Sequence, residues 1–545
     1  MLKLIRRTGA VALTATLAAM LFGCGTVKPA TKPENKEFVF DPLTRLQMQN
    51  DFDYLIKMVK ESYPKLYMSK ELYNIDIIKI LESYRDKVTG KESPAEFMAL
   101  LGKATSSCKG DHFNCMDFYY SKDYKVGNAY YPRYYSGLFS NEDIAITHAY
   151  CQAYSKLEKS KSKFNLPLYY RNLNYYIMYD FYFNKQKFPA GARLVSYNNK
   201  SVPELLKANQ DKMDSFDFTN KVFYSDKDFV QQVTDYKLPK LNFVFEDKNK
   251  KQYTLNIKKT DSCTFAPDHR NRIAVLDHLD ARRVSYFERD KVLYIRLPRM
   301  NSYAAAFYKQ RILEESKNRE LHAIVIDIRN NGGGSDMTWY KLISYLVAEK
   351  FSFKSKLGLK NTAAVHKYLH NRRATNNCYS QLQIKPEKIA FLNNEDFYIS
   401  EGHATLNPDA DSIRFNGPVY ILCERIYSSA GSFMMSAEFS DQFTSIGPTN
   451  YIDLGRGMDP IAFALPNSRI IIRFGCDIDL TNCKNIKDTA HIENEVPLEV
   501  INTRAFHYNS LSEAPKGLTV EQQADWLLQN KDKFYKKAME LMRKK

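Results

Sequence analysis

The segment Ala323-Ile-Val-Ile-Asp-Ile328 runs without a spacer into Arg329-Asn-Asn-Gly-Gly-Gly334, and from about Met337 a helical pattern carries Trp339, Leu342, Ile343 and Leu346. A short, continuously apolar strand of this kind is covered on both faces, as strands are in parallel sheets sandwiched between helices. Similar runs at 292–297, 419–423 and 470–474 repeat the pattern, so an α/β layer is expected over 280–505. Three glycines between strand and helix let backbone N–H groups face a bound anion with no Cβ in the way. The turn lacks the spacing and the lysine of a nucleotide-binding P-loop, which argues against ATP chemistry.

At 545 residues the chain exceeds one core, and its 44 % hydrophobic content can fill roughly three to four folding units. Over 41–115 the pattern is that of a helical domain. Phe52, Leu55, Ile56 and Val59 form one amphipathic stripe, and Ser93-Pro94-Ala95-Glu96 is a capping box ahead of Phe97, Leu100, Leu101 and Ala104. Residues 116–185 are rich in tyrosine, with strand-like Leu168-Tyr-Tyr170 and Asn174-Tyr-Tyr-Ile-Met-Tyr179 after a helical pattern at 145–157. Over 186–265 a strand, an Asn198-Asn199 turn, a short helix at Ser201-Val-Pro-Glu-Leu-Leu206 and two further strands follow in an order that resembles a PDZ-like β domain. Residues 506–545 end in a helix capped by Thr519-Val-Glu-Gln522 and carrying Trp526, Leu527, Phe534, Met539 and Leu541.

The N-terminus combines basic Met1-Leu-Lys-Leu-Ile-Arg-Arg7 with an apolar stretch over 9–22 and Gly23, as a signal peptide over 1–23 does. Leu21-Phe22-Gly23-Cys24 resembles a lipobox, although Phe22 stands where a small residue is usual; the resemblance implies lipid attachment at Cys24 and a solvated leash over 24–40. It implies a bacterial lipoprotein of the cell envelope, at the periplasmic or outer-membrane surface. No other apolar run is long enough to span a bilayer. The net charge of +17 is diffuse, three of its cations fall in the leader, and no nucleic-acid-binding signature accompanies it. Eight cysteines remain beyond Cys24. Cys108 with Cys115 and Cys476 with Cys483 are spaced to close short loops, buried thiols being the alternative, and no zinc spacing is present.

After the strand at 419–423 comes Ile426-Tyr-Ser-Ser429-Ala-Gly-Ser-Phe433 and an apolar helical stretch. A serine at a helix start is ordinarily an N-cap. At a strand-to-helix junction, however, the helix N-terminus favours negative charge, and the Ala430 N–H can stabilise an oxyanion. The ordered set Val-Leu-Tyr-Ile-Arg-Leu, Ile-Asp-Ile-Arg-Asn-Asn-Gly-Gly-Gly, Tyr-Ser-Ser-Ala-Gly, Ala-Leu-Pro-Asn-Ser and His-Ile-Glu-Asn-Glu-Val-Pro looks like the tricorn-core and tail-specific (C-terminal processing) serine peptidase family.

The resemblance implies an α/β multidomain fold: an N-terminal helical domain, a PDZ-like β domain and a crotonase-like ββα-spiral core. It implies peptide-bond hydrolysis, a peptide or protein substrate, and no metal or other cofactor. On matching positions Ser429 is the nucleophile, with Ser428 second, and the N–H groups of Ala430 and of Gly333 or Gly332 form the oxyanion hole. Tail-specific members use a lysine in a Gly-Lys-Gly setting, where this chain has Gly455-Arg456-Gly457. Arginine stays protonated and cannot serve as a base; Lys484 and Lys487 are nearby but expected on an exposed loop. Tricorn-like members use a histidine from the helical region, and Gly110-Asp111-His112 resembles their Asp-x-His element with the aspartate displaced by one residue. Glu493 then orients the histidine, with Glu495 as the fallback, although Leu498 replaces the family's closing aspartate. Ser432 stands where many relatives carry glutamate. Arg456, Ser432 and the shifted aspartate motivate the alternative, a non-catalytic peptide- or glycan-binding lipoprotein on the same fold.

Overall fold

A computed structural model describes residues 38–544 except 111, 117–136, 160–163, 214, 218–219, 226–228, 234–239, 259, 376–382, 449–456, 458–459, 491–493 and 499–501. Residues 1–37, with Cys24 and the segments expected as leader and leash, and Asp111, Arg456 and Glu493 therefore lie outside the described residues. Met1–Asp41 separates from one compact unit, Pro42–Lys545.

The compact unit begins with helices whose ends are closed by their own side chains. Helix α1 (Arg45–Ser62) starts with a reciprocal Thr44–Gln47 cap, and α2 (Pro94–Ser107) starts with the Ser93–Glu96 box and Pro94 in its first turn. The chain then turns into the two-residue strand β1 (Asn114–Cys115). A helix over Asn141–Lys159 follows, and next comes an antiparallel sheet that includes Leu168–Arg171, Asn174–Ile177, Arg193–Tyr197, Leu241–Glu246 and Gln252–Ile257. Asn198 and Asn199 both adopt positive φ, 46° and 62°, which fits a tight turn that asparagine tolerates. The two tyrosine-rich strands belong to this same sheet: their burial alternates, and Tyr175 is wholly enclosed beneath it.

The central layer is a six-stranded sheet of β2 (Arg283–Phe287), β3 (Val292–Arg296), β4 (Ala323–Asp327), β5 (Val419–Leu422), β6 (Phe443–Pro448) and β8 (Val496–Leu498), in that order. The run at 470–474, expected in this layer, is instead strand β7 (Ile471–Phe474) of a separate sheet, where it pairs antiparallel with β1 and with Ile461–Ala464. Every pair in the central sheet is parallel except β2 with β3. Strands β3, β4 and β5 are buried along their whole length, as their unbroken apolar runs require. Leu293, Ile295, Ile324, Ile326 and Ile421 pack on helices α3 (Met337–Leu346) and α4 (Ser429–Ala437) through Trp339, Leu342, Phe433 and Met434. Val292, Tyr294, Val325, Tyr420 and Leu422 face the opposite way, onto the C-terminal helices α5 (Thr503–Ser510), α6 (Val520–Asn530) and α7 (Lys533–Met542). The protein is thus a mixed α/β molecule.

A further expectation is corrected at the C-terminus. The C-terminal segment is not one helix: α6 stops at Asn530 and α7 restarts at Lys533, because the buried Asp532 side chain accepts the Tyr535 N–H at 2.8 Å as a new N-cap. Of the two readings of the spaced cysteines, the structure holds the thiols. Cys108 donates to the Ala104 carbonyl at 3.3 Å inside α2, Cys483 and Cys476 are unlinked, and burial pushes the Cys115 thiol up to about 12. Among the described residues no helix is long and apolar enough to cross a membrane.

Ile326 is fully enclosed between β4's neighbours and α3. Ile326→Ala is expected to lower unfolding free energy by about 2–5 kcal/mol. Thr44→Ala, which removes one cap, costs about 1 kcal/mol. Urea titration followed by circular dichroism separates the two.

Candidate active site

All the parallel strands point their C-terminal ends the same way, so the loops that follow β3, β4 and β5 meet at one edge. The loop after β4 is built around Asn331, which is wholly buried. Its Nδ2 donates to the Leu297 carbonyl at 2.8 Å, its Oδ1 accepts the Gly333 N–H at 2.8 Å, and its backbone carbonyl accepts the Tyr427 N–H at 3.0 Å. One side chain therefore ties the loops after β3 and β4 together, and its carbonyl reaches the segment after β5. Gly333 completes the junction: its carbonyl accepts from the Met300 N–H at 3.0 Å, and its φ is +89°. A Cβ on Gly333 would lie 2.6 Å from both the Ser428 Cβ and the Tyr427 carbonyl and 3.0 Å from the Ser429 nitrogen. Only glycine permits this approach.

Ser429 is the first residue of α4 and is 7 % exposed. The cap position belongs to Ser428, which makes no side-chain cap hydrogen bond and has φ 54° and ψ −126°. Such a backbone is costly for a residue with a side chain, by about 1–3 kcal/mol, and persists only where neighbours over-determine it. Here the Tyr427 N–H is held by Asn331 on one side, and the Ser428 carbonyl accepts the Ser432 N–H at 3.0 Å on the other. The turn delivers Ser429 to the positive end of a helix at the mouth of the parallel sheet.

His112 reaches the same place from the N-terminal helices. Its backbone N–H donates to Tyr427 Oη at 3.1 Å, and its ring meets the Tyr427 ring edge-on at 5.2 Å between centroids. The turn, with His112 at φ 51°, is held from behind. Pairing of β1 with β7 sets Asn114 opposite Arg473, Arg473 Nε donates to Asn114 Oδ1 at 2.8 Å, and Phe113 packs on Phe474 and Tyr63. His112, Gly333, Ser428, Ser429 and Ala430 thus converge around Tyr427.

The expected oxyanion donors are engaged in this geometry: Gly333 N–H by Asn331 Oδ1, and Ala430 N–H by the Tyr427 carbonyl at 3.2 Å. Gly332 is exposed, and a Cβ there would meet open space. Lys484 and Lys487 lie exposed around the short turn Ile486–Thr489. Glu495 is exposed at the start of β8, with its N–H donated to Ser445 Oγ at 3.1 Å. Among the described residues no group of histidine, cysteine and carboxylate side chains is arranged to hold a metal ion. Asn331 and Tyr427 were not singled out from the sequence, although each sits inside a quoted motif.

Just behind the site Glu424 is buried at the end of β5; its carboxylate accepts the Thr503 hydroxyl at 2.7 Å, and its carbonyl accepts the Asn330 N–H at 2.6 Å. Burial raises its carboxyl above the ordinary range, against the opposing pull of Arg425 and the Thr503 hydroxyl.

Residues 291–449 match Peptidase family S41. No curated protein shows significant sequence similarity to the chain. Solved structures of similar fold include mature CPAF complexed with lactacystin, at 11 % identity and a TM-score of 0.53 over 92 % of this chain and 99 % of that one. Mature CPAF alone gives 12 % identity and 0.53, covering 92 % and 98 %. The photosystem II D1 C-terminal processing protease gives 13 % and 0.34, covering 83 % and 93 %. At such identities the CPAF likeness establishes the fold.

Gly333→Ala is expected to destabilise the protein by about 1–3 kcal/mol, whereas Gly332→Ala, with room for its methyl, should be neutral or stabilising by up to about 1 kcal/mol. Urea unfolding of the two variants side by side checks this. For Glu424 the sign follows from its raised folded-state value: ionisation costs more in the folded protein than in the unfolded chain, so its contribution to stability falls as pH rises through the carboxylate range. Glu424→Gln should therefore raise the melting midpoint at pH 8 more than at pH 4, as scanning calorimetry would show.

Proposed function

We propose that this chain, whose residues 291–449 match Peptidase family S41, is a serine peptidase that cleaves internal peptide bonds through an acyl-enzyme on Ser429, with His112 as the general base. The observation that carries this reading is the bond from the His112 N–H to Tyr427 Oη, which seats the histidine beside the turn that presents Ser429.

Ser429 Oγ attacks the substrate carbonyl while His112 takes its proton, then returns it to the leaving amine; water hydrolyses the ester by the same route. The oxyanion draws the Gly333 and Ala430 N–H groups away from Asn331 Oδ1 and the Tyr427 carbonyl. A full negative charge is a stronger acceptor than either neutral oxygen, and the exchange occurs as charge develops, which is when it lowers the barrier. Gly332 is the alternate donor. The N-terminus of α4 adds its favourable potential to both amides. Glu493 holds the imidazole in the required tautomer, Glu495 being the fallback. The lipobox-like Leu-Phe-Gly-Cys24 supports attachment by a lipid to the bacterial cell envelope, with unfolded or flexible polypeptide outside the cytoplasm as substrate.

The test is cleavage of dye-labelled casein and a mixed peptide library by a soluble form starting at Gly25, beside Ser429→Ala and His112→Ala. Each substitution is expected to lower kcat by about 10⁴-fold or more while the circular dichroism spectrum is kept. Activity lost in Ser429→Ala but retained in His112→Ala refutes the base. A parent protein that binds peptides and cuts none supports a binding module in place of a peptidase.

A further inference from the structure

A charged cluster lies beneath the loop that follows β4, and the chemistry at Ser429 makes no direct use of it. Arg329 is 5 % exposed, and its guanidinium is clamped between two buried carboxylates. Toward β4 its Nε and Nη2 meet Asp327 at 3.0 and 2.5 Å, and its own backbone N–H also donates to Asp327 at 3.0 Å. Toward the C-terminal helices its Nη1 donates to Asp532 Oδ2 at 2.7 Å, while the guanidinium carbon lies 4.9 Å from the Phe534 ring centroid. Asp327 is further fixed by the Tyr294 hydroxyl at 2.7 Å, and His507 Nε2 stands 3.0 Å from Asp532. Burial, the largest single influence, pushes both carboxyls up, but Arg329 together with Arg296 and the Tyr294 hydroxyl at Asp327, and together with His507 and the Tyr535 N–H at Asp532, outweighs it and holds both below the usual carboxylate range.

The side chain so clamped belongs to the residue from which the glycine loop departs. The Asn330 N–H donates to the Glu424 carbonyl, Asn331 follows with its three ties, and Gly333 with its contact to Ser428 comes next. Any tilt of Arg329 is passed to the amides of Gly332 and Gly333 through a few short, fully bonded links. Hydrogen-bond donors off their line by a fraction of an ångström lose much of their value to a developing oxyanion.

Resting on the serine peptidase reading above, we propose that Asp532 of the C-terminal helix pair is a positioning residue for the reaction, setting the oxyanion loop through its ion pair with Arg329. This also accounts for the broken helix: the chain gives up a continuous α6–α7 to place a carboxylate against Arg329.

Asp532→Asn separates this role from a structural one, because asparagine caps α7 as well as aspartate does while the charge is lost. Active sites are counted by labelling with a fluorophosphonate, and casein turnover is expressed per labelled site. The expected result is a fall in kcat and in the labelling rate of about tenfold to a hundredfold, as loss of a charged hydrogen bond gives, with KM within about twofold of the parent. Leu528→Ala, which loosens the same helices within the core, should lower the melting midpoint and leave turnover per site unchanged. In an Arg329→Gln background, Asp532→Asn should add less than about twofold, since the pair is already broken. If Asp532→Asn leaves too few labelled sites to measure, Arg329→Gln alone is read by the same two quantities. Parent-like turnover per site in Asp532→Asn, or a full additional loss in the Arg329→Gln background, overturns the proposal and leaves the peptidase reading standing. A parent that takes no label at Ser429 overturns both.

Discussion

Everything around Ser429 depends on how closely the backbone of Gly333 approaches the turn at Ser428. The two segments come from successive parallel strands, and each is in an unusual conformation: Gly333 at φ +89° and Ser428 at φ 54°. Glycine adopts its conformation without strain, whereas that of Ser428 is costly and is maintained by its neighbours. Asn331 links them with bonds to Leu297, Gly333 and Tyr427, and it does so inside a wholly buried pocket where every bond is worth more than at the surface. The serine is exposed as little as a core residue, yet it sits at the rim of a sheet whose interior is apolar and whose end is polar.

That polarity is concentrated. Arg296, Asp327, Arg329 and Glu424 all lie at or just past the ends of β3, β4 and β5, and all are buried. Buried ions cost desolvation and are retained only when paired. Asp327 and Asp532, with values held down by Arg329, contribute most above the ordinary carboxylate range, and that contribution is lost on acidification through their depressed folded-state values. Glu424 runs in the opposite sense. The site is thus underlain by groups whose net effect on stability opposes itself across pH, and whose common partner is one guanidinium.

Much of this was legible in the sequence. The unbroken apolar runs at 292–297, 323–328 and 419–423 announced the parallel sheet, the one at 470–474 did not, and the Ser93–Glu96 and Thr519–Gln522 pairs marked helix starts that the structure keeps. Ser429 and the glycine loop stood out because strand, glycine and helix signals abut. What was not legible depends on contacts between distant segments. Asn331 and Tyr427 act through bonds that no local pattern encodes. The break between α6 and α7 falls at Asn530-Lys-Asp532, where Asp532 caps α7 and meets Arg329 and His507 from other parts of the chain. The cysteine spacings suited loops but did not specify geometry, and the thiols instead sit in hydrogen bonds to nearby carbonyls or in apolar surroundings.

His112 meets Tyr427 across 315 positions of chain, and Arg329 meets Asp532 across 203. Contacts this distant form late in folding, after most of the loop entropy has been surrendered. The last of them requires α7, which ends at Met542. A chain folded only as far as Ser429 therefore lacks both the β1–β7 pairing behind His112 and the carboxylate that meets Arg329. The arrangement around Tyr427 is therefore a late product of folding that no single stretch of the chain holds by itself.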